Sequence, residues 1–176
     1  MKEHTSHERV HAVVKTPLGW VAVLATERGV RALTLPRKTR EAALERLMEN
    51  ERDIGVEDPA RLRPLLERLR AFYSGQPVTF DDITLDLEGF PPFYVQVWQR
   101  TRTVAWGETI TYGELAAEVG KPGAARAVGQ AMAHNPVPPI VPCHRVVARG
   151  GRLGGYGGGL DMKARLLAME GRHGGY

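Results

Sequence analysis

Cys143 is the only cysteine among 176 residues. It stands in NPVPPIVPCHRVV, residues 135 to 147, behind four prolines and directly before a histidine and an arginine. A lone thiol cannot close an intramolecular disulfide or build a zinc site from several thiolates. That leaves a small buried apolar side chain, the commoner fate of a free cysteine, or a reactive nucleophile. The nucleophile needs help, because a thiol attacks as its thiolate and a free pKa near ~8.5 leaves only a few per cent ionised at neutral pH.

His144 is the nearest proton acceptor and Arg145 the nearest positive charge. Neighbouring side chains on extended backbone point to opposite sides, so the spacing predicts that His144 reaches the sulfur through a bridging water rather than by contact. Glu170, in LLAMEG, is an acid near the C-terminus of a predicted helix, where the helix dipole disfavours it. A carboxylate there suits a third group that orients His144 and fixes its tautomer. Alone, His144 reads as a satisfied structural histidine and Glu170 as a solvated helix end. With Cys143 they read as a relay.

Such a relay needs a rigid mount. Asn135-Pro136 stops a helix, and Pro138, Pro139 and Pro142 stiffen the returning chain, which holds the thiol on a nearly fixed segment. Upstream lies GETITYGELAAEVGKPGAARAVGQAMAHN. Thr111 and Glu114 have capping-box spacing, Leu115, Ala116 and Val119 give an inward face, and Gly120-Lys121-Pro122-Gly123 is a tight turn. Helix, short turn and second helix predict a helix-turn-helix.

The second helix, Ala124 to about His134, carries Ala125, Ala127, Gly129, Ala131 and Ala133, so little keeps its backbone from a close approach. A major-groove reader needs several long polar side chains, whereas this helix offers chiefly Arg126 and Gln130. Shape-based docking, even into a minor groove, suits it better. Arg126 sits in the first turn, where the dipole disfavours a cation by up to ~1 kcal/mol. A side chain that fills the space of an extruded nucleotide would explain it, and a surface ion pair is the alternative. Tyr112, at the start of the first helix, is either a core aromatic or a hydroxyl aimed at a ligand.

Before residue 90 the pattern changes. VHAVVK, WVAVLAT and VRALTL are short β-rich runs separated by TPLG and ERG, which predicts a three-stranded meander from Val10 to Leu35. Thr39 to about Asn50 and Asp58 to Ser74 are amphipathic helices, and DITLDLEG, residues 82 to 89, alternates as a further strand. GFPPF then breaks the pattern, which places a domain boundary near Gly89 and divides the chain into 1–89 and 90–176. A helix from Pro92 to about Thr103 opens the second half. The Gly-rich loop 150–159 precedes a last helix, about Asp161 to Glu170. The fold class is α/β of the α+β kind: a small sheet-and-helix domain followed by a mainly helical one.

Composition bounds the function. A chain that is 43% apolar and 25% charged is an ordinary globular protein. No run approaches the ~20 apolar residues of a membrane span, and MKEHTSHERV is too polar for a secretory signal, so a cytoplasmic location with no membrane partner is expected. The net charge of +4 is uneven, with 14 Lys/Arg against 15 Asp/Glu before residue 90 and 10 against 5 after it. The second half is therefore the candidate to meet a polyanion.

PCHRV at 142–146, with NPVPPIV before it and GYGGGL and LLAMEG after it, resembles the O6-alkylguanine-DNA alkyltransferase family. The resemblance covers about Phe90 to Gly171, including GETITYGELA and the AARAVGQAM helix, while the first half agrees mainly in length and in strand-then-helix order. It implies irreversible, single-turnover SN2 transfer of an alkyl group from O6-alkylguanine in double-stranded DNA to Cys143, after nucleotide flipping, with O4-alkylthymine left open as a substrate. It also implies that Asn135 braces the turn, that His144 and a water accept the thiol proton, and that Glu170 orients the histidine. By the same resemblance Tyr112 protonates the leaving guanine and Arg126 replaces the flipped base. Ala125, Ala127 and Gly129 would lie on the minor-groove face. Tyr156 would line the pocket with the Gly157 and Gly158 backbone, and the main chain of Val146 would accept a hydrogen bond from the base. A ribonuclease-H-like scaffold is expected before a winged-helix-like second domain, acting as a monomer with no cofactor. Some members carry Ser or Ala in place of Gly157 and Asn in place of Gly155, so this chain leaves more room for bulky lesions. Some relatives hold a structural zinc through cysteines of the first domain. Here none exists outside Cys143, and no metal is expected.

Two rivals remain. A lesion-binding sensor of the same fold replaces the cysteine, and Cys143 argues against it. A Cys-His hydrolase needs an oxyanion hole and a base touching the sulfur, which adjacent Cys-His does not obviously supply.

Overall fold

A computed structural model describes residues 8–171. The reading of the MKEHTSHERV start falls largely outside them. The chain divides into two compact units, Met1–Val78 with Asp82–Asp86, and Thr79–Asp81 with Leu87–Tyr176.

In the first unit, β1 (Val10–Thr16), β2 (Gly19–Thr26) and β3 (Gly29–Leu33) form the expected antiparallel meander. A fourth strand, β4 (Val56–Glu57), joins the free edge of β1 in parallel, giving the order β3-β2-β1-β4. It is two residues long, too short for alternation to reveal. Helices α1 (Arg40–Asn50) and α2 (Pro59–Tyr73) begin as their caps dictate, with Thr39 and Asp58 side chains accepting from the N–H groups of Ala42 and Arg61. β2 is buried over Val21 to Ala25, which is why its sequence is nearly continuous in apolar residues. Ala22, Leu24 and Ala32 pack with Ala43 and Leu47 of α1. Val10, Ala12 and Val14 alternate to the other face of β1, and α2 lies against that strand.

The strand expected over 82–89 is reduced to one bridge, Val30 to Leu85. Val30 donates to the Thr84 carbonyl and Asp86 donates back to Val30, and nothing continues the ladder. The segment is held instead by side chains. Arg68 makes a two-pronged contact with Asp82 (2.6 and 2.7 Å), and Asp86 accepts from Thr26 (2.7 Å).

The second unit is mainly helical: α3 (Pro92–Thr101), α4 (Tyr112–Glu118), α5 (Ala125–Ala133) and α6 (Leu160–Met169). The helix-turn-helix is present as α4 and α5. Its capping box is formed, Glu114 N–H to Thr111 Oγ1 at 3.1 Å and Thr111 N–H to Glu114 Oε2 at 2.8 Å. Val128, Ala131 and Met132 bury the inner face of α5, and the Trp98 indole of α3 donates to the Ala131 carbonyl at 2.8 Å. A pairing that no sequence period announces is β5 (Ile110–Thr111) parallel to β6 (Val146–Val147). It ties the start of α4 to the segment just after Cys143. Among the described residues no helix is long and apolar enough to cross a membrane.

Candidate active site

Cys143 does not sit on extended backbone. Cys143–Arg145 form one turn of 3-10 helix, closed by Arg145 N–H to the Pro142 carbonyl at 2.9 Å. The expectation of alternating side chains therefore fails here. Pro142, at φ −80° and ψ 67°, has already bent the chain, and side chains on a turn fan out rather than alternate. Asn135 fixes the approach to this turn. Its Nδ2 donates to the Val141 carbonyl (2.8 Å), and its Oδ1 accepts from Val137 N–H (3.0 Å).

The turn brings three sequence-selected residues together. Cys143 and His144 are buried, and His144 Nε2 donates to Glu170 Oε1 at 2.7 Å. Glu170 caps the C-terminus of α6 and is also buried. Burial alone would raise its pKa, but the bonds from His144 and Arg145 outweigh it and hold the carboxyl below its usual range. An ionised Glu170 only accepts, so the neutral ring carries its proton on Nε2 and its lone pair on Nδ1. Burial lowers the pKa of His144 against the opposing pull of Glu170. Burial also pushes the Cys143 thiol up, opposed by Asn135 and by the charge of Lys163.

Lys163 is the residue the sequence reading passed over. Its side chain is wholly buried and donates to the carbonyls of Val146 (2.6 Å), Gly155 (3.1 Å) and Leu153. Burial lowers its pKa to about 8. A lysine in LDMKARLLAM reads as a solvated face, yet Lys163, Leu166, Leu167 and Glu170 lie at i, i+3, i+4 and i+7, on the inward stripe. That spacing was the available signal. Arg145, noticed only as a nearby charge, is buried too and forks onto Glu170 through Nε (3.2 and 3.0 Å) and Nη2 (2.8 Å).

Tyr112, half-buried, donates to the Gly155 carbonyl at 3.4 Å, and the Lys163 ammonium lies 5.7 Å from its ring centre. Burial, then the neighbouring Cys143, raises its pKa, so the hydroxyl keeps its proton. Gly154 makes this fit possible. At φ +70° its backbone favours glycine, and a Cβ there would come within 2.8 and 2.9 Å of the Tyr112 ring and hydroxyl. Val146 is buried, Tyr156 half-buried, and Gly157 and Gly158 exposed. On α5, Arg126 and Ala127 are exposed and Ala125 and Gly129 half-buried. A Cβ at Gly129 would meet nothing within 4 Å, so internal packing does not account for that glycine. No ion pair of Arg126 is found among the described residues. Nor does any group of three His, Cys, Asp or Glu able to hold a metal ion occur among them.

The site therefore offers a thiol with a hydrogen-bonded histidine–glutamate pair behind it, a cation and a phenol beside it, and a helix-turn-helix in the same unit. Residues 92–172 match the family model for the DNA-binding domain of 6-O-methylguanine DNA methyltransferase. Over 163 residues the chain is 40% identical to the methylated-DNA–protein-cysteine methyltransferase of Mycolicibacterium paratuberculosis, covering 93% of each chain. It is 37% identical over 161 residues to the Salmonella typhimurium protein of the same name, with 90% of this chain and 93% of that one covered. Its fold matches the crystal structure of Mycobacterium tuberculosis OGT in complex with DNA at a TM-score of 0.76, with 36% identity and 92% of each chain covered. The chain belongs to the methylated-DNA–protein-cysteine methyltransferase family.

Proposed function

We propose that this chain repairs double-stranded DNA by taking the alkyl group of a flipped O6-alkylguanine onto Cys143, once per molecule. The observation that carries the reading is the His144–Glu170 pair at 2.7 Å behind the chain's only cysteine. Family membership supplies the reaction type, alkyl transfer from DNA to a protein cysteine, and only one residue can be the acceptor.

The thiol proton passes to His144 through a water, leaving a thiolate beside the Lys163 ammonium. The sulfur attacks the alkyl carbon from behind, an S–C bond forms, and the C–O6 bond breaks with its electron pair leaving on guanine. Tyr112 meets that developing charge with its O–H. The net proton moves from thiol to guanine, and the product is a thioether that no group in the site can cleave. Asn135 holds the turn, Val146 and Tyr156 line the base pocket, and the Gly157 and Gly158 backbone closes over it.

The exposed face of α5 supports docking to the minor groove. Ala125, Ala127 and Gly129 let the backbone come close, and Arg126 projects to fill the vacated stack. On this reading the chain acts as a monomer in the cytoplasm, residues 1–89 are a scaffold, and 90–176 bind DNA and accept the alkyl group.

Intact-mass spectrometry after incubation with an O6-methylguanine duplex tests it. The expected result is one methyl group per chain, mapped to Cys143. Tight binding without a mass change would point to a sensor, and repeated product release to a hydrolase. Arg126→Ala should slow transfer from the duplex far more than from free O6-benzylguanine, and equal losses on both would remove the flipping role.

A further inference from the structure

Among the buried charges of the second unit, Arg145 has no part in the chemistry just described, yet its guanidinium is the most fully engaged group there. Nε and Nη2 grip both oxygens of Glu170 (3.2, 3.0 and 2.8 Å), and Nη1 donates to the Val104 carbonyl at 2.7 Å. Its side chain is 10% exposed and that of Glu170 0%. We propose that Arg145 is a positioning residue of the transfer, whose planar fork holds the Glu170 carboxylate ionised and square to His144 while anchoring the turn that carries Cys143. The inference rests on the reading of His144 as proton acceptor.

Glu170 is poorly placed to stay charged unaided. It caps the negative end of α6 and is buried, and burial favours the protonated acid. With the imidazole as its only polar partner it would take up a proton, and its O–H would then donate to Nε2. The ring would shift its own proton to Nδ1 and lose the lone pair that the thiol proton requires. Arg145 prevents this reversal, because a permanently charged fork satisfies both carboxylate oxygens and leaves Oε1 to accept from Nε2. A lysine would keep the charge but supply neither two-pronged geometry nor the reach to Val104.

Position matters as much as charge. Arg145 closes the turn that begins at Cys143, so its anchors on the Val104 carbonyl and on α6 also fix the direction of the sulfur. The charged groups acting on His144 are Arg145 in its own turn, and Glu170 and Lys163 from α6. Removing Arg145 thus alters the one carboxylate among them and one of the two cations.

The test uses the full chain and free O6-benzylguanine, which needs no DNA. Benzylation of Cys143 is followed from mildly acidic to mildly alkaline pH, and the His144 tautomer is read from its ring 15N shifts. Wild type should show the Nε2–H form. Arg145→Lys should slow transfer about tenfold, and Arg145→Gln more, as parts of the ~10²–10⁴ that a positioned acid–base group contributes. Both should show mixed tautomers and a displaced acidic limb. Folded variants that keep the wild-type tautomer and pH profile would overturn the proposal. Should the single variants not fold, Arg145→Met/Glu170→Met removes both charges together, which a buried site commonly tolerates. That double variant should fold and transfer slowly, and wild-type speed in it would equally overturn the proposal. His144→Gln separates the two levels. If it retains full rate, the acceptor reading itself fails; if it is slow while the Arg145 variants are not, only the role of Arg145 falls.

Discussion

In the first unit Arg9 and Arg31 share Glu51 at the margin of the sheet, with side chains 13 to 28% exposed, while in the second His144 and Glu170 meet at 1% and 0%. Both are chains of alternating charge joined by hydrogen bonds, but they sit in different media. At the margin water still solvates the ions, so pairing stabilises little and separation costs little. In the interior the desolvation penalty is several kcal/mol per ion, and an apolar replacement would often pack as well. A fold selected for stability alone has no need of His144, Arg145, Lys163 and Glu170 within one core, and their presence is the mark of chemistry. Among the described residues of the first unit the buried polar ones are Thr16, Thr34 and Asp86, and they carry no such mark.

Substituting one carboxylate in each unit gives the widest contrast. Glu170→Gln leaves Arg145 buried without its counter-charge, and a loss of about 3–5 kcal/mol is expected in urea denaturation, together with slow alkyl transfer. Glu51→Gln should cost about 1 kcal/mol or less and leave transfer unchanged. Equal losses from the two variants would erase the distinction drawn between the units.

Lys163→Met sharpens it with pH. A lysine whose folded pKa is lowered to about 8 releases its proton on folding only between that pH and about 10.5, where the unfolded chain still holds one and the folded chain does not. Wild-type stability therefore gains on the methionine variant as pH rises from about 8 towards 10.5, and the gain is absent below about 8. Transfer at neutral pH should fall about tenfold in the variant, the equivalent of one unit in thiol ionisation. Denaturation midpoints collected across that range, with no widening gap between the two proteins, would contradict a buried ammonium.

The two units also differ in how much of them could be read in advance. Strands of seven and eight residues and helices of eleven and fifteen announce themselves by period, so the sheet and helices of the first unit were legible. The capping box and the small residues of α5 were equally visible. What escaped was short or tertiary: the two-residue strands β4, β5 and β6, the bend at Pro142, and the inward Lys163. The 82–89 segment erred in the opposite direction, since its alternation is real but only Leu85 finds a strand partner. Periodicity reports which face is buried, not which backbone is paired. Cys143, His144 and Glu170 were accessible because each is an odd residue in its local setting, whereas Lys163 and Arg145 look ordinary until the fold surrounds them.

Gly154→Ala probes the pocket without touching a charge. The left-handed backbone costs a non-glycine residue about 1–2 kcal/mol, and the new Cβ would displace the Tyr112 ring from the Gly155 carbonyl. Transfer should slow while the His144 tautomer stays as in wild type, which a paired rate and 15N measurement would show.

The smallest effect is expected at the capping box. Thr111→Ala removes the acceptor for the Glu114 N–H at the start of α4, and cap losses of this kind cost about 1 kcal/mol. Thr111 also pairs with Val147 through β5 and β6, but by backbone, which alanine retains. The change therefore loosens the first turn of α4, where Tyr112 begins, and leaves the buried charges in place. If catalysis depends on those charges more than on the mount of the phenol, stability should fall by that amount with less than a twofold change in transfer. A loss of rate as large as that of Lys163→Met would instead make the helix start, and not the buried cation, the feature that governs the site.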